Sequence, residues 1–174
     1  MVYNINISGL QRELPLCPIN EELYIAAFVL FGDVELTEHS AAKLYERAPE
    51  HDVMLTAESK GIPLVHAMCR ISGKNRYVLA RKSVKLYMKD VVSCITKSIT
   101  TGNVQTLYID GADAEYLKGK RVLIVDDVIS TGDSLRAAVL QCRMAPLIRA
   151  LFSEVNPIPV KAVLAALGYC SDTY

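Results

Sequence analysis

The chain has 174 residues, 51% hydrophobic and 22% charged, and its formal net charge is zero because Lys+Arg and Asp+Glu each total 19. That length and apolar content suit one globular domain with a sizeable core, which makes a disordered or fibrous chain a poor fit. A balanced charge gives no whole-chain attraction for nucleic acid or an anionic membrane, so neither is expected as a partner.

Taken in chain order, residues 1–20 read as irregular, with Pro15 and Pro18 as breakers. The stretch EELYIAAFVLFGDVEL (21–36) suits a strand or a buried helix, with Gly32-Asp33 as a turn. Its apolar run YIAAFVLF (24–31) is far too short to span a bilayer. Thr37 reads as the N-cap of a helix over 38–48, with Ala41, Leu44 and Ala48 on one face.

From residue 52 a rhythm begins. DVMLTA (52–57) reads as a strand, GIPLVHAMCRIS (61–72) as a helix that tolerates Pro63 in its first turn, and RYVLAR (76–81) as a second strand. RVLIVD (121–126) reads as a third strand and DSLRAAVLQCR (133–143) as the helix after it. Apolar strands alternating with helices predict an α/β fold, a parallel sheet with helices on both faces. Ligands bind such sheets at the carboxyl ends of the strands. The polar clusters at 58–61, 81–85 and 126–134 should therefore meet on one rim. Residues 82–120 are long for a connection, with β-prone pieces at 90–96 and 104–109, and predict a flexible flap over that rim.

At the rim, VLIVDDVISTGDS (122–134) carries the chemistry. Two carboxylates at a strand end, Asp126 and Asp127, suit the two hydroxyls of a ribose and can help hold a magnesium ion through water. The small residues Ser130, Thr131, Gly132, Asp133 and Ser134 lead into a helix start, where backbone amides and the helix dipole favour a phosphate. A strand ending in two aspartates, one of them a helix cap, is the structural alternative. The apolar run before the pair and the small-residue turn after it favour the ligand reading. The spacing matches neither a Walker loop nor a GxGxxG fingerprint. His39, His51 and His66 share no spacing and read as surface or packing residues.

VLIVDDVISTGDS resembles the phosphoribosyl pyrophosphate motif of the type I phosphoribosyltransferases. TAESKG (56–61) resembles that family's pyrophosphate loop, and VLARKSVK (78–85) resembles a segment of its adenine and xanthine enzymes. The likeness covers about residues 50–141. It implies transfer of a phosphoribosyl group from phosphoribosyl pyrophosphate to a purine base, with pyrophosphate leaving and Mg2+ assisting. By that resemblance Asp126 and Asp127 hold the ribose hydroxyls and support charge developing on the ring. Residues Ser130 to Ser134 grip the 5′-phosphate. Ser59, Lys60 and Gly61 meet the pyrophosphate, and Arg81, Lys82 and Lys85 neutralise it as it leaves. A homodimer is also implied, as is a hood over the base drawn from residues 1–50.

Three departures stand out. Asp133 takes the place of a usual second glycine, and Thr100 stands near the place of an acidic flap residue of the adenine enzymes, which points towards a xanthine-like or other purine. The third is the end of the chain. LFSEVNPIPVKAVLAALG (151–168) resembles the C-terminal helical part of dihydrodipicolinate synthases, so a phosphoribosyltransferase-like domain over 1–143 and an atypical helical tail over 144–174 are expected. PLIRALF (146–152) as a strand, or PVKAVLAAL (159–167) as a helix, would then cover the edge of the VLIV strand. Two other functions remain open at this stage. One is a non-catalytic regulator that binds phosphoribosyl pyrophosphate, although residues 1–50 show no helix-turn-helix or basic recognition helix. The other is an inactive chimeric chain.

The five cysteines (Cys17, Cys69, Cys94, Cys142 and Cys170) are odd in number and lack CxxC spacing, and the opening MVYNINISGLQREL lacks the layout of a signal peptide. A cytoplasmic protein with reduced thiols is expected.

Overall fold

The computed structural model describes residues 1–7, 9–97 and 104–128. Expectations for Thr100, for Ser130, Thr131, Gly132, Asp133 and Ser134, for the helix over 133–143 and for the tail over 144–174 fall outside these residues.

The N-terminal part is a ribbon. Strands β1 (Val2–Ile7) and β2 (Leu10–Pro18) pair antiparallel, and β3 (Tyr24–Ala26) adds to β2. The irregular reading of residues 1–20 is therefore corrected. Pro15 sits opposite Val2, the last pair of its ladder, where a missing N–H costs little, and its carbonyl still accepts from the Ala27 N–H at 2.9 Å. Gly9 closes the hairpin at φ +89°, a conformation that favours glycine.

Helix α1 (Val34–Glu46) begins earlier than the sequence suggested. Its N-cap is Asp33, whose carboxylate accepts from the Leu36 N–H at 3.0 Å. Thr37 instead lies inside the helix, with its hydroxyl donating to the Asp33 carbonyl at 2.7 Å. The buried face is accordingly Leu36, Thr37, Ser40 and Ala41, and Leu44 is exposed.

The rhythm from residue 52 is present. Strands β4 (Val53–Ala57), β5 (Val78–Ala80) and β8 (Val122–Ile124) form a parallel sheet in the order β5-β4-β8. Central β4 is apolar except for Thr56, and its residues Val53 to Thr56 are buried because both its faces are covered. Val53 and Leu55 point to one side and Met54 to the other, all fully buried. Helices α1 and α2 (Ile62–Ser72) cover the Met54 side through Leu36, Ala41, Leu64, Val65 and Met68. The Val53 side is covered by the antiparallel pair β6 (Val92–Lys97) and β7 (Val104–Ile109) and by α3 (Gly111–Leu117), through Val92, Leu107, Ile109, Ala114 and Leu117. Helices thus lie on both faces of a parallel α/β sheet. Helix α2 carries Pro63 in its first turn and ends at Gly73, φ +68°, where the Lys74 N–H reaches back to the Cys69 carbonyl at 3.0 Å.

Strand β7 also touches the main sheet. Arg81 and Tyr108 exchange backbone hydrogen bonds of 2.7 and 2.8 Å, which fixes the β6–β7 ribbon beside the end of β5. Strand β8 is one edge of the sheet among the described residues.

Candidate active site

Sheet register decides which side chains meet. Leu55 lies level with Ile124, so Ala57 lies level with Asp126, and Ala57 is also level with Ala80. The loops that leave β4, β5 and β8 therefore start on the same rim, as the parallel reading requires.

Asp126 and Asp127 stand at the end of the β8 segment, where the Val125 N–H still bonds the Leu55 carbonyl at 2.9 Å. The Asp127 N–H donates to Asp126 Oδ1 at 3.0 Å. Asp126 is partly buried, and burial pushes its pKa up to about 6, against the pull of the Asp127 amide and of the Lys60 charge. The Asp127 side chain is 6% exposed, and Lys60 Nζ approaches its Oδ2 to 3.4 Å. That approach is a charge contact only, because Oδ2 has no hydrogen-bond partner among the described residues.

Gly61 presses the β4 loop against this pair. A Cβ at Gly61 would come within 2.3 Å of Thr56 Oγ1 and 2.8 Å of Asp126 Oδ1. Space rather than backbone freedom is the reason for glycine here, since its φ of −72° suits any residue. Ser59 and Lys60 are exposed beside it, and the Glu58-Ser59 peptide is cis.

The β5 loop joins through Glu58. Its Oε2 accepts from the Lys82 N–H at 3.0 Å and lies 3.7 Å from Arg81 Nε, which has no hydrogen-bond partner among the described residues. The Lys82 amide is the main cause that holds the Glu58 pKa low, helped by the charges of Arg81, Lys85 and Lys82. Lys85 Nζ bonds Ser83 Oγ at 2.7 Å and faces the same carboxylate more distantly. Of the expected site residues, Ser59, Lys60, Gly61, Asp126 and Asp127 form one cluster, and Arg81, Lys82 and Lys85 adjoin it through Glu58. Sequence reasoning passed over Glu58. Its role depends on the level of β4 against β5, which no local pattern encodes.

A cavity of about 300 Å³ lies between the start of α1 and the outer side of α2, lined by Leu30, Asp33, Thr37, Ile62, His66 and Tyr77 among others, and no residue of the cluster lines it. It shares the first turn of α2, which follows Gly61 directly.

The family model for the phosphoribosyl transferase domain matches residues 34–141, a span that includes all three rim loops. The chain belongs to this phosphoribosyl transferase family. The adenine phosphoribosyltransferase of Saccharopolyspora erythraea is 31% identical over 161 residues, covering 92% of this chain and 81% of that protein. The crystal structure of adenine phosphoribosyltransferase from Thermoanaerobacter pseudethanolicus shares the fold, with a TM-score of 0.59, 21% identity and coverage of 77% and 76% of the two chains. A second likeness is short. The 4-hydroxy-tetrahydrodipicolinate synthase of Prochlorococcus marinus is 43% identical over 56 residues, and the chain spans only 18% of that curated relative. At that length the likeness is longer than the whole of 144–174, so it shares residues with the phosphoribosyl transferase span.

Among the described residues no helix is long and apolar enough to cross a membrane, and no group of three or more His, Cys, Asp or Glu side chains is placed to enclose a metal ion.

Proposed function

We infer that the chain transfers a phosphoribosyl group from phosphoribosyl pyrophosphate to a purine base and releases pyrophosphate. One observation carries this reading: a carboxylate pair, a glycine-packed loop and a basic loop meet on the rim of one parallel sheet. Asp126 and Asp127 accept hydrogen bonds from the ribose hydroxyls, and their negative charge favours the positive charge that develops on the ring as the bond to pyrophosphate breaks. The Ser59–Gly61 loop and the cations of Lys60, Arg81, Lys82 and Lys85 receive the departing diphosphate. Ser130, Thr131, Gly132, Asp133 and Ser134, following in sequence, take the 5′-phosphate.

The donor set fits Mg2+ bound through water. Mg2+ keeps several waters and takes one or two carboxylates, and Asp127 Oδ2 is a buried oxygen with an unmet hydrogen bond. A bound Mg2+ would supply charge neutralisation of the diphosphate. The base remains a purine in general terms, since the relative is named for adenine whereas Thr100 stands near the place in sequence where the adenine enzymes carry an acidic residue. The thiols of Cys17 and Cys69, which form no disulfide among the described residues, suit a reducing cytoplasm. A homodimer, a domain ending near 143 and a separate tail over 144–174 belong to the same proposal.

The test is a pyrophosphate-release assay with phosphoribosyl pyrophosphate, Mg2+ and a panel of purines. Release with at least one purine is expected. Binding of the sugar phosphate without release on any base would overturn the transferase reading in favour of a regulator.

A further inference from the structure

Two ion pairs on the rim differ from the others among the described residues. Lys60 with Asp127 at 3.4 Å and Arg81 with Glu58 at 3.7 Å are the longest, and each leaves a buried polar atom, Asp127 Oδ2 or Arg81 Nε, without a hydrogen bond. Structural pairs elsewhere are close and hydrogen-bonded, such as Arg12 with Asp33 and Arg121 with Asp52. A buried ionic group left half-satisfied is costly unless something completes it.

We propose that Lys60 is a placeholder cation on Asp127, which exchanges partners when ligands bind. In the ligand-free chain the ammonium balances Asp127 by charge alone. A hydrated divalent cation that takes its place satisfies Oδ2 through a water and frees Lys60, which is half-exposed and tethered beside Gly61, to meet a diphosphate. The exchange runs both ways: an anion that draws Lys60 outward uncovers Asp127 for the cation. Lys60 and Asp127 therefore couple the two ligand sites without any movement of the sheet, and by linkage each ligand favours the other equally. At the β5 loop the orphaned atom is instead on the cation, Arg81 Nε, since Glu58 Oε2 already accepts from the Lys82 N–H at 3.0 Å. The identity of the ligands rests on the transferase reading, whereas the exchange itself rests on the geometry of the pair.

The test uses single ligands and the full chain. Mn2+ binding is followed by electron paramagnetic resonance without diphosphate, and inorganic pyrophosphate binding by calorimetry in a chelator. Lys60→Gln should bind Mn2+ about tenfold more tightly than the wild type, because a competing charge at ion-pair distance is gone. Asp127→Asn should bind metal-free pyrophosphate more tightly, because Lys60 is released. Lys60→Arg should stay near the wild type in Mn2+ binding. A purely structural pair would leave both affinities unchanged or lower them. Equal Mn2+ affinity in Lys60→Gln and the wild type, no Mn2+ binding in either, or no gain in pyrophosphate affinity in Asp127→Asn would overturn the exchange. A chain that shows both gains but never releases pyrophosphate from phosphoribosyl pyrophosphate would instead overturn the transferase reading and leave the exchange standing.

Discussion

Gly61 and Asp126 depend on each other for position. A methyl group at Gly61 has no room between Thr56, which is fully buried, and Asp126. Gly61→Ala should therefore push the loop off the carboxylate pair. Displacing a binding loop by about an ångström costs on the order of a hundredfold in rate, and overpacking adds about 1–3 kcal/mol of destabilisation. Turnover measured beside a urea unfolding curve checks both effects. A variant with wild-type turnover would show that the loop does not position the reaction.

Asp126 has a second, independent signature. Its folded pKa of about 6 lies above the ordinary 3.8 because burial disfavours the charge. The folded state therefore binds the proton more tightly than the unfolded one, so the group adds stability at low pH that is lost as pH rises. The loss begins near pH 4 and is complete above about pH 6. Asp126→Asn removes the charge, so its stability relative to the wild type should rise through that window and stay level above it. Urea midpoints of both proteins across the window check this, and a difference that ignores pH would contradict it.

At the scale of elements, legibility followed periodicity. Strands β4, β5 and β8 and helix α2 were read correctly because apolar runs and Gly/Pro punctuation agree there. The N-terminal ribbon was hidden. In β2, Leu10, Arg12 and Leu14 all turn inward, but a charged residue in the middle breaks the visible alternation. Arg12 can turn inward because its guanidinium binds Asp33, through Nη2 at 3.0 Å as well as Nε, and Glu35 at 2.8 Å. The start of α1 was misjudged for the same reason, since Asp33 serves both as cap and as Arg12's partner while Thr37 only imitates a cap in sequence.

That pair predicts an acid response. The Arg12 guanidinium, with help from the Leu36 amide, lowers the Asp33 pKa to about 2. A depressed carboxylate stabilises the fold above its ordinary value near pH 4, and the contribution fades as pH falls towards 2. Arg12→Met should lower Tm near neutral pH, and the gap to the wild type should narrow below about pH 4. Calorimetry across that range checks it, and a constant gap would show that Arg12 acts by packing alone.

Across the whole molecule, the rim was legible and its wiring was not. Alternating strands and helices were enough to bring 58–61, 81–85 and 126–127 to one end of a parallel sheet. The pairings of Lys60 with Asp127 and of Glu58 with the β5 loop needed the register Leu55 to Ile124 and Ala57 to Ala80, which arises only when the strands are assembled. The cover of the Val53 face by the β6–β7 ribbon was likewise out of reach, because its β-prone pieces do not say which sheet face they meet.

The central claim is that the two aspartates at the end of β8 hold the sugar of phosphoribosyl pyrophosphate. Its most direct test is the affinity of the double variant Asp126→Asn, Asp127→Asn for phosphoribosyl pyrophosphate with Mg2+, measured by calorimetry on protein whose circular dichroism matches the wild type. Loss of two charge-assisted hydrogen bonds should weaken binding about a hundredfold or more, whereas affinity equal to the wild type would contradict the account.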